Sequence, residues 1–225
     1  MSDLAPEHVP AAVRVSSTSH RVTVLGEVRS DVAVDGDARV RRDELGTTVV
    51  DVGGKLTIRV PTGTSIIIGS ASGRVDVSGP LGDVAVLTDS GRIDIAEATS
   101  IDARTTSARL TIGTVHGECR ARTGSGRIQV GACGSASVAT ESGRISLKHV
   151  DGPVEAHCVS GRIDISMDGA HDVNAETVSG RVTVSMPSGV DAFESSGSTA
   201  ASVPPDCDCV VSVRSVSGRV AVSNR

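Results

Sequence analysis

The chain has almost no aromatic side chains. Among its 225 residues there is no tryptophan and no tyrosine, and Phe193 is the only phenylalanine. A globular core normally takes much of its bulk from aromatic rings, and proteins that bind single-stranded nucleic acid use such rings to stack bases. The composition therefore predicts a core that is too narrow for rings and is filled by Val, Ile and Ala.

A dominant charge and a long apolar run are also missing. The 22 Lys and Arg are interleaved with 27 Asp and Glu, for a net charge of −5, so we expect no nucleic-acid partner. No stretch approaches the ~20 apolar residues that span a bilayer, and we expect no direct membrane insertion. Residues 1–7 lack the basic and apolar regions of a signal peptide. We therefore expect a cytoplasmic protein, peripheral to a membrane only through a partner.

Cysteine and histidine show no ligand pattern. The five cysteines are an odd number, and Cys119 and Cys158 should lie two coils or roughly 10 Å apart, which is too far for a disulfide. Cys207 and Cys209 offer only two thiolates to a metal. The six histidines fall at different points of the repeat and never at metal-ligand spacing. We predict reduced thiols, no metal site and no cofactor.

What the chain does contain is one hexapeptide, Ser-Gly-Arg-(Val/Ile)-x-(Val/Ile), many times over. Its arginine recurs at steps of 18, 17, 18, 17, 18, 19 and 38 residues. A fixed short period is the signature of a solenoid. We interpret the last step as two repeats, with a degenerate copy at residues 196–198. The arginines are Arg74, Arg92, Arg109, Arg127, Arg144, Arg162, Arg181 and Arg219.

Apolar residues flank each arginine at fixed distances. One pair stands one and three residues after it, and a second pair stands eight and six residues before it, as Val84 and Val86 do before Arg92. Alternation at period two places each pair on one face of a strand, so each repeat holds two strands joined at a Ser-Gly corner. A βαβ unit does not fit, because its crossover alone needs a dozen or more residues. We predict an all-β fold, a single-chain parallel β-helix or β-solenoid with 17–19 residues per coil.

A polar column accompanies the apolar ones. Four residues before the arginine stands Thr, Ser or Cys, with the parity of the inward residues, and we expect hydrogen bonds at the corner rather than an outward, ice-binding array. The column is Thr88, Thr105, Thr123, Thr140, Cys158, Thr177 and Ser215.

The regular coils are predicted to begin near residue 65. An early copy at residues 13–24 has Arg21 in the arginine position. The segment Val28–Val60 then breaks the register and has the pattern of antiparallel strands. We predict that residues 1–64 form an N-terminal β-sheet cap, because a terminal coil must hide its edge. Residues 65–225 then form the coils, with a loop insertion at 195–209.

The segment that ends in Leu56-Thr57-Ile58-Arg59-Val60-Pro61, with Ser72-Gly73-Arg74-Val75-Asp76-Val77 and its copies, resembles a bacterial family of putative adhesins, a β-strand-repeat domain of unknown function. The resemblance covers nearly the whole chain. It implies a β-solenoid with an adhesin-like role and names no ligand. Many members of such families look exported or membrane-tethered.

Stacked coils would bring the arginines into one outward column. Like charges ~4.8 Å apart repel by roughly 0.9 kcal/mol in water, and Asp76, Asp94 and Asp164 on the same face can relieve this. The column is then either a stripe that binds a polyanion or a structural ladder in which the aliphatic parts of the arginine side chains cover the sheet. We expect the structural ladder. The candidate binding residues are Arg74, Arg92, Arg109, Arg127, Arg144, Arg162 and Arg181.

No catalytic motif is present, and the acids are spread over several coils, so we expect no enzyme. The leading hypothesis is a non-catalytic adhesin-like scaffold or interaction module whose partner is a protein or an anionic polymer. A self-associating solenoid of the bactofilin kind is the alternative, and a polysaccharide-active enzyme is a distant third. Because no capping element follows the last coil, we expect either that the loop with Pro204-Pro205 folds over it or, as we favour, that two copies form a homodimer through it.

Overall fold

The computed structural model describes residues 12–42, 47–188, 192–196 and 209–224. Within these ranges the regular elements are all strands of one sheet, so the fold is all-β, and no helix capable of crossing a bilayer occurs there. The strands are β1 (Val13–Ser17), β2 (Val22–Glu27), β3 (Ala33–Arg42), β4 (Thr48–Pro61), β5 (Ile66–Ser78), β6 (Leu81–Val150), β7 (Val154–Met167), β8 (Val173–Met186), β9 (Ala192–Ser196) and β10 (Cys209–Asn224).

Successive repeats lie side by side in parallel and in register. β5 pairs with β6 so that Arg74 lies opposite Arg92, and β7 pairs with β8 so that Arg162 lies opposite Arg181. Such neighbours are about 4.8 Å apart. The architecture is β-solenoid-like, because each repeat makes its backbone hydrogen bonds with the repeat before it and the repeat after it.

Strand β6 contains several coils in one continuous segment. Its 70 residues would extend for roughly 230 Å if straight, but the chain bends at every Ser-Gly corner and returns over itself. Gly126 stacks against the carbonyl group of Ala108, and Gly143 against that of Gly126. The 17- or 18-residue steps of the arginines are therefore the coil length.

The core is a single column of small aliphatic side chains inside the coils. Ile93, Ile128 and Ile163 from the pair after the arginine are buried, as predicted. The third side of the coils adds a further buried row. That row is Leu81, Ala98, Val115, Cys133, Val150, Met167 and Met186.

At the N-terminal end the chain does not stack in sequence order. β2 lies between β5 and β4, with Val22 opposite both Val75 and Leu56, and both pairings are parallel. Only β3 runs antiparallel to β4. The expectation of antiparallel strands over Val28–Val60 is right for β3 and wrong for the way β4 joins the stack. The reason is that Leu56 and Ile58 form the same buried inward pair as the regular coils.

At the C-terminal end the predicted degenerate repeat is wrong. β10 pairs with β8 over its length and places Arg219 opposite Arg181, so no coil lies between them. β9 instead pairs with the first part of β10, on its other side. β10 takes the inner place because it carries complete inward apolar pairs. Residues 197–208, most of the predicted loop insertion, lie outside the described residues.

Candidate functional site

The arginines of the repeat form one column on the outer surface, which we call the arginine ladder. The strand register places Arg74 opposite Arg92, and Arg144, Arg162, Arg181 and Arg219 in direct succession. Arg74 and Arg162 are half-buried and the other ladder arginines are exposed. The column is therefore outward-facing and follows the stacking of the coils.

A column of glycines runs beside the ladder because the coils approach each other very closely there. A Cβ on Gly143 would overlap the carbonyl oxygen of Gly126, and a Cβ on Gly161 would overlap that of Gly143. Gly91 also has a φ of 122°, which favours glycine. The corner glycine is thus required mainly by coil-to-coil contact.

Because the corner glycines have no side chains, a groove runs along the ladder. Its volume is about 850 Å³. The lining consists of arginine, serine and glycine with a single alanine, and no carboxylate borders it. Its lining arginines are Arg109, Arg127, Arg144, Arg162, Arg181 and Arg219.

Acids neutralise only the N-terminal part of the ladder. Asp76 contacts Arg21 and Arg74, each at 2.7 Å, and Asp94 contacts Arg74 at 3.0 Å. The hydrogen bond and the charge of Asp76 raise the pKa of Arg74. Two carboxylates therefore balance two guanidinium groups at this end.

The rest of the ladder has no such partners. Within the described ranges, the seven ladder arginines from Arg92 to Arg219 make no ion pair, and neither does Asp164. Asp94, which lies two residues after Arg92, contacts the arginine of the preceding coil instead. The predicted relief of repulsion by neighbouring acids thus occurs at Asp76 and Asp94 but not at Asp164.

Three basic residues of the column were not among the predicted binding residues. Arg21 lies beside Arg74 because Val22 pairs with Val75, and Lys55 lies beside Arg21 because Leu56 pairs with Val22. Arg219 ends the column. The signal for Lys55 was available, since Gly53-Gly54-Lys55-Leu56-Thr57-Ile58 is a variant of the hexapeptide.

The threonine column lies inside the corner, as its parity predicted. The Thr88 hydroxyl donates to the Ser90 carbonyl at 3.0 Å, and that of Thr123 donates to the Ser125 carbonyl at 3.2 Å. The buried hydroxyls of Ser70, Thr140, Thr177 and Ser215 have no hydrogen-bond partner among the described residues. The column faces the core rather than a ligand.

Cys119, Cys133 and Cys158 are free thiols buried in the core, and Cys209 is buried as well. Burial raises the pKa of Cys119 to about 12 and that of Cys133 to about 11, and it also raises the pKa of Cys158. A thiol reacts as the thiolate. These three side chains therefore act as small apolar groups.

Each of four histidines lies near one carboxylate of an adjacent coil. His116 contacts Glu97 at 2.9 Å and His149 contacts Asp168 at 3.0 Å, while His157–Glu176 and His171–Asp151 are longer pairs. The described part of the chain holds no group of three or more metal-binding side chains. These surface pairs link neighbouring coils. His8 lies outside the described residues.

Solved structures show where this fold has been seen before. A structure described as a putative adhesin from Bacteroides fragilis NCTC 9343 covers 96% of this chain and 94% of its own, with a TM-score of 0.52 and 12% identity. A structure described as a putative cell adhesion protein from Clostridium sporogenes ATCC 15579 covers 98% of this chain and 96% of its own, at 8% identity and a TM-score of 0.25. The first likeness shows a shared fold, and the second carries no argument.

Sequence comparison identifies the family. No curated protein matches the chain significantly. The family model of Toastrack DUF4097 matches residues 13–224, which takes in the coils, the strands at both ends and the whole basic column. The chain therefore belongs to the Toastrack DUF4097 family.

Proposed function

We propose that the chain is a non-catalytic, adhesin-like interaction module that binds an anionic polymer along the arginine ladder. One observation carries the proposal, namely the seven arginines from Arg92 to Arg219 that stand in line without an ion-pair partner among the described residues. Repulsion of roughly 0.9 kcal/mol between neighbours in water is a standing cost of this arrangement. A bound polyanion would remove it.

The same proposal includes a finer description of the fold as a single-chain parallel β-helix with 17–19 residues per coil. The register of β5 through β8 supports it, since Arg74 pairs with Arg92 and Arg162 pairs with both Arg144 and Arg181. This geometry is what makes the ladder a binding surface. Arginines that are one repeat apart in the sequence lie on neighbouring strands, so their charges are spaced by about 4.8 Å.

The chemistry of the groove supports binding rather than bond cleavage. Cleavage of a glycosidic bond normally uses two carboxyl groups that flank the scissile bond. The groove beside the ladder is lined by guanidinium, hydroxyl and backbone groups, which bind anions and hold them in place. The cytoplasmic location inferred from the sequence stays a prediction.

The proposal is tested by equilibrium binding of a labelled polyanion at several salt concentrations. For seven phosphate contacts the slope of log K against log salt should be roughly −5. Changing Arg92, Arg127 and Arg162 to Gln leaves four contacts, so the slope should fall to roughly −3 and the affinity should fall with it. An affinity and a salt slope that these three substitutions leave unchanged would contradict the proposal.

The matched control has the same charge change outside the ladder. Arg14, Arg104 and Arg120 are exposed and lie on the face of the first strand of each coil, and the latter two contact Asp102 and Glu118. Their change to Gln should leave the salt slope within error of the wild-type value. An equal loss in both triple variants would mean that only net charge matters.

Self-association is a second candidate function, favoured by one observation at the C-terminal end. Val220 and Val222 of the last coil are only partly buried, whereas Val182 and Val184 of the coil before it are fully buried. An uncovered coil edge offers apolar surface and backbone groups to a second copy. We propose a homodimer through this coil as the form that such association would take.

Sedimentation at tens of micromolar tests this second candidate. Val220→Glu should shift a dimer to monomer, because it places a charge in the proposed contact, while Leu87→Glu on a distant exposed site should not. A wild-type protein that sediments as a monomer would exclude the dimer. That result would not bear on polymer binding, which the titration with the polyanion tests separately.

A further inference from the structure

From the placement of the acids within the ladder we infer the class and the length of the ligand. It is a linear chain of phosphate or sulfate groups without bases, lying in single file over the seven coils from Arg92 to Arg219. This inference rests on the proposed function, and it adds where binding starts, how far it extends and which anion it takes.

The start of the footprint follows from charge. Arg21 and Arg74 are matched by Asp76 and Asp94 at 2.7–3.0 Å, so these two guanidinium groups are neutralised, and Lys55 beside Arg21 is separated from Arg92 by this neutral segment. The first guanidinium group without an ion-pair partner among the described residues is that of Arg92. Six steps of about 4.8 Å lead from there to Arg219, so the footprint is about 29 Å long.

The anion class follows from the groups that each coil supplies. A serine stands two residues before each ladder arginine in the sequence, and Ser107 and Ser125 line the same groove as the arginines. Arginine binds oxyanions with two parallel hydrogen bonds, and a serine hydroxyl can donate another. A tetrahedral oxyanion with three or four oxygen atoms can accept from both groups at once.

The shape of the groove selects a single, flexible chain. Its floor is glycine backbone, where a Cβ on Gly126, Gly143 or Gly180 would meet the carbonyl group of the coil below. One arginine per coil in register gives a single row of charges that one extended chain can follow, whereas the phosphates of a rigid duplex wind around its axis. Single-stranded nucleic acid gains much of its affinity from aromatic stacking, and the groove lining has no ring.

The experiment measures the affinity of inorganic polyphosphate chains of defined length by titration calorimetry. Affinity should rise steeply with chain length until the extended chain spans about 29 Å, and only slowly beyond that. A steep rise that ends at two or three coils, or no dependence on length, would overturn the inferred footprint. Sulfated oligosaccharides of equal span form a second arm that distinguishes sulfate from phosphate as the source of the oxyanion.

One double variant tests where the footprint starts. Asp76→Asn with Asp94→Asn releases Arg21 and Arg74, so the length at which affinity levels off should increase by about two coils, or roughly 10 Å. The matched control is Asp102→Asn with Glu118→Gln, which releases arginines outside the ladder. An unchanged length in the first variant, or the same increase in both, would overturn the inference.

The outcomes separate this inference from the proposed function. If single-stranded oligothymidylate of equal charge binds more tightly than polyphosphate, and the ladder substitutions weaken it, then the ligand class is wrong and the ladder is still the binding surface. If the Arg92, Arg127 and Arg162 substitutions affect no polymer, the proposed function itself is wrong.

Discussion

Gly143 shows how the stacking of coils determines individual residues. A methyl group at this position would overlap the carbonyl oxygen of Gly126 in the coil below, and the same holds along most of the corner column. Ala108 takes the corner position in one coil, so a coil can form with a methyl group there after a local shift. The expected effect of a larger residue is therefore strain rather than failure to fold.

We predict that Gly143→Ala lowers the free energy of unfolding by about 1–3 kcal/mol, the usual range for overpacking. Gly69→Ala is the control, because the nearest atom to its Cβ would be 3.9 Å away. Alanine there should be neutral or slightly stabilising, since it replaces the more flexible glycine in a strand. Urea denaturation of both variants measures the difference, and equal effects would show that close stacking is not the reason for the glycine.

The buried thiols make stability depend on alkaline pH. A raised pKa in the folded state means that the stabilisation is present below the ordinary value of 9 and is lost as pH rises toward 11–12. At pH 10.5 the loss should be about 2 kcal/mol for each of Cys119 and Cys133. The double change of both residues to Ala should remove most of this dependence.

The measurement is the urea midpoint at pH 7.5 and at pH 10.5 for the wild type and the double variant. The chain has no tyrosine, so no phenol titrates in the same window. An equal fall in midpoint for both proteins would show that these thiols are not the cause.

At the residue scale the sequence predicts which side chains face in. The period-two alternation identified the buried Ile93, Ile128 and Ile163 and the threonine column correctly, because a strand has only two faces. It did not reveal that Asp76 contacts both Arg21 and Arg74. That contact depends on which coil lies next to which, and neighbours in the stack need not be neighbours in sequence.

At the scale of the elements, both ends of the sheet depart from sequence order. β4 lies outside β1 and β2, although they precede it in the chain, and β9 lies outside β10, although it precedes it. Spacing along the sequence predicts the regular coils from β5 to β8 and cannot predict such exchanges, because the repeat unit is the same wherever it is inserted.

A disulfide tests the direct stacking of β10 on β8. Val178 and Val216 are exposed and lie side by side in the register, since Thr177 pairs with Ser215 and Ser179 with Ser217. Their Cα atoms should be about 4.8 Å apart, within the range for a disulfide. In a Cys207→Ser background, the Val178→Cys, Val216→Cys variant should form the bond on mild oxidation.

The competing arrangement makes a different prediction for the same variant. A degenerate coil between β8 and β10 would separate the two positions by about 9.6 Å, which is beyond disulfide reach. Free thiols after oxidation, measured by mass spectrometry, would contradict the pairing of β10 with β8. Val159→Cys with Val216→Cys, two coils apart, is the control that should stay reduced.

At the scale of the whole molecule, charge is distributed unevenly. The net charge is −5, yet one column carries the repeat's arginines, and most of them lack a carboxylate partner among the described residues. The sequence predicted the column and its outward direction from the period alone. Whether the acids two residues away would neutralise it could not be predicted, because Asp94 reaches the preceding coil and Asp164 makes no ion pair with any described residue.

From the sequence we expect a structural ladder, and from the contacts of the described residues we propose a binding surface. If the ladder is structural, removal of its arginines should lower the stability of the fold, because the aliphatic parts of their side chains no longer pack on the sheet and acids are left unpaired. If the ladder is a binding surface, the same substitutions should weaken ligand binding without lowering the stability, because relief of like-charge repulsion should offset the loss of side-chain packing. The two interpretations therefore differ in one measurable pair of quantities.

That measurement is the thermal unfolding midpoint, with and without inorganic polyphosphate, of the wild type and of the variant with Arg92, Arg127 and Arg162 changed to Gln. At 100 times the Kd, the polymer should stabilise the wild type by about 2.7 kcal/mol, or roughly 5–10 °C. The variant should have the wild-type midpoint without polymer and gain little from it. A variant that melts well below the wild type, with neither protein responding to polymer, would contradict the account.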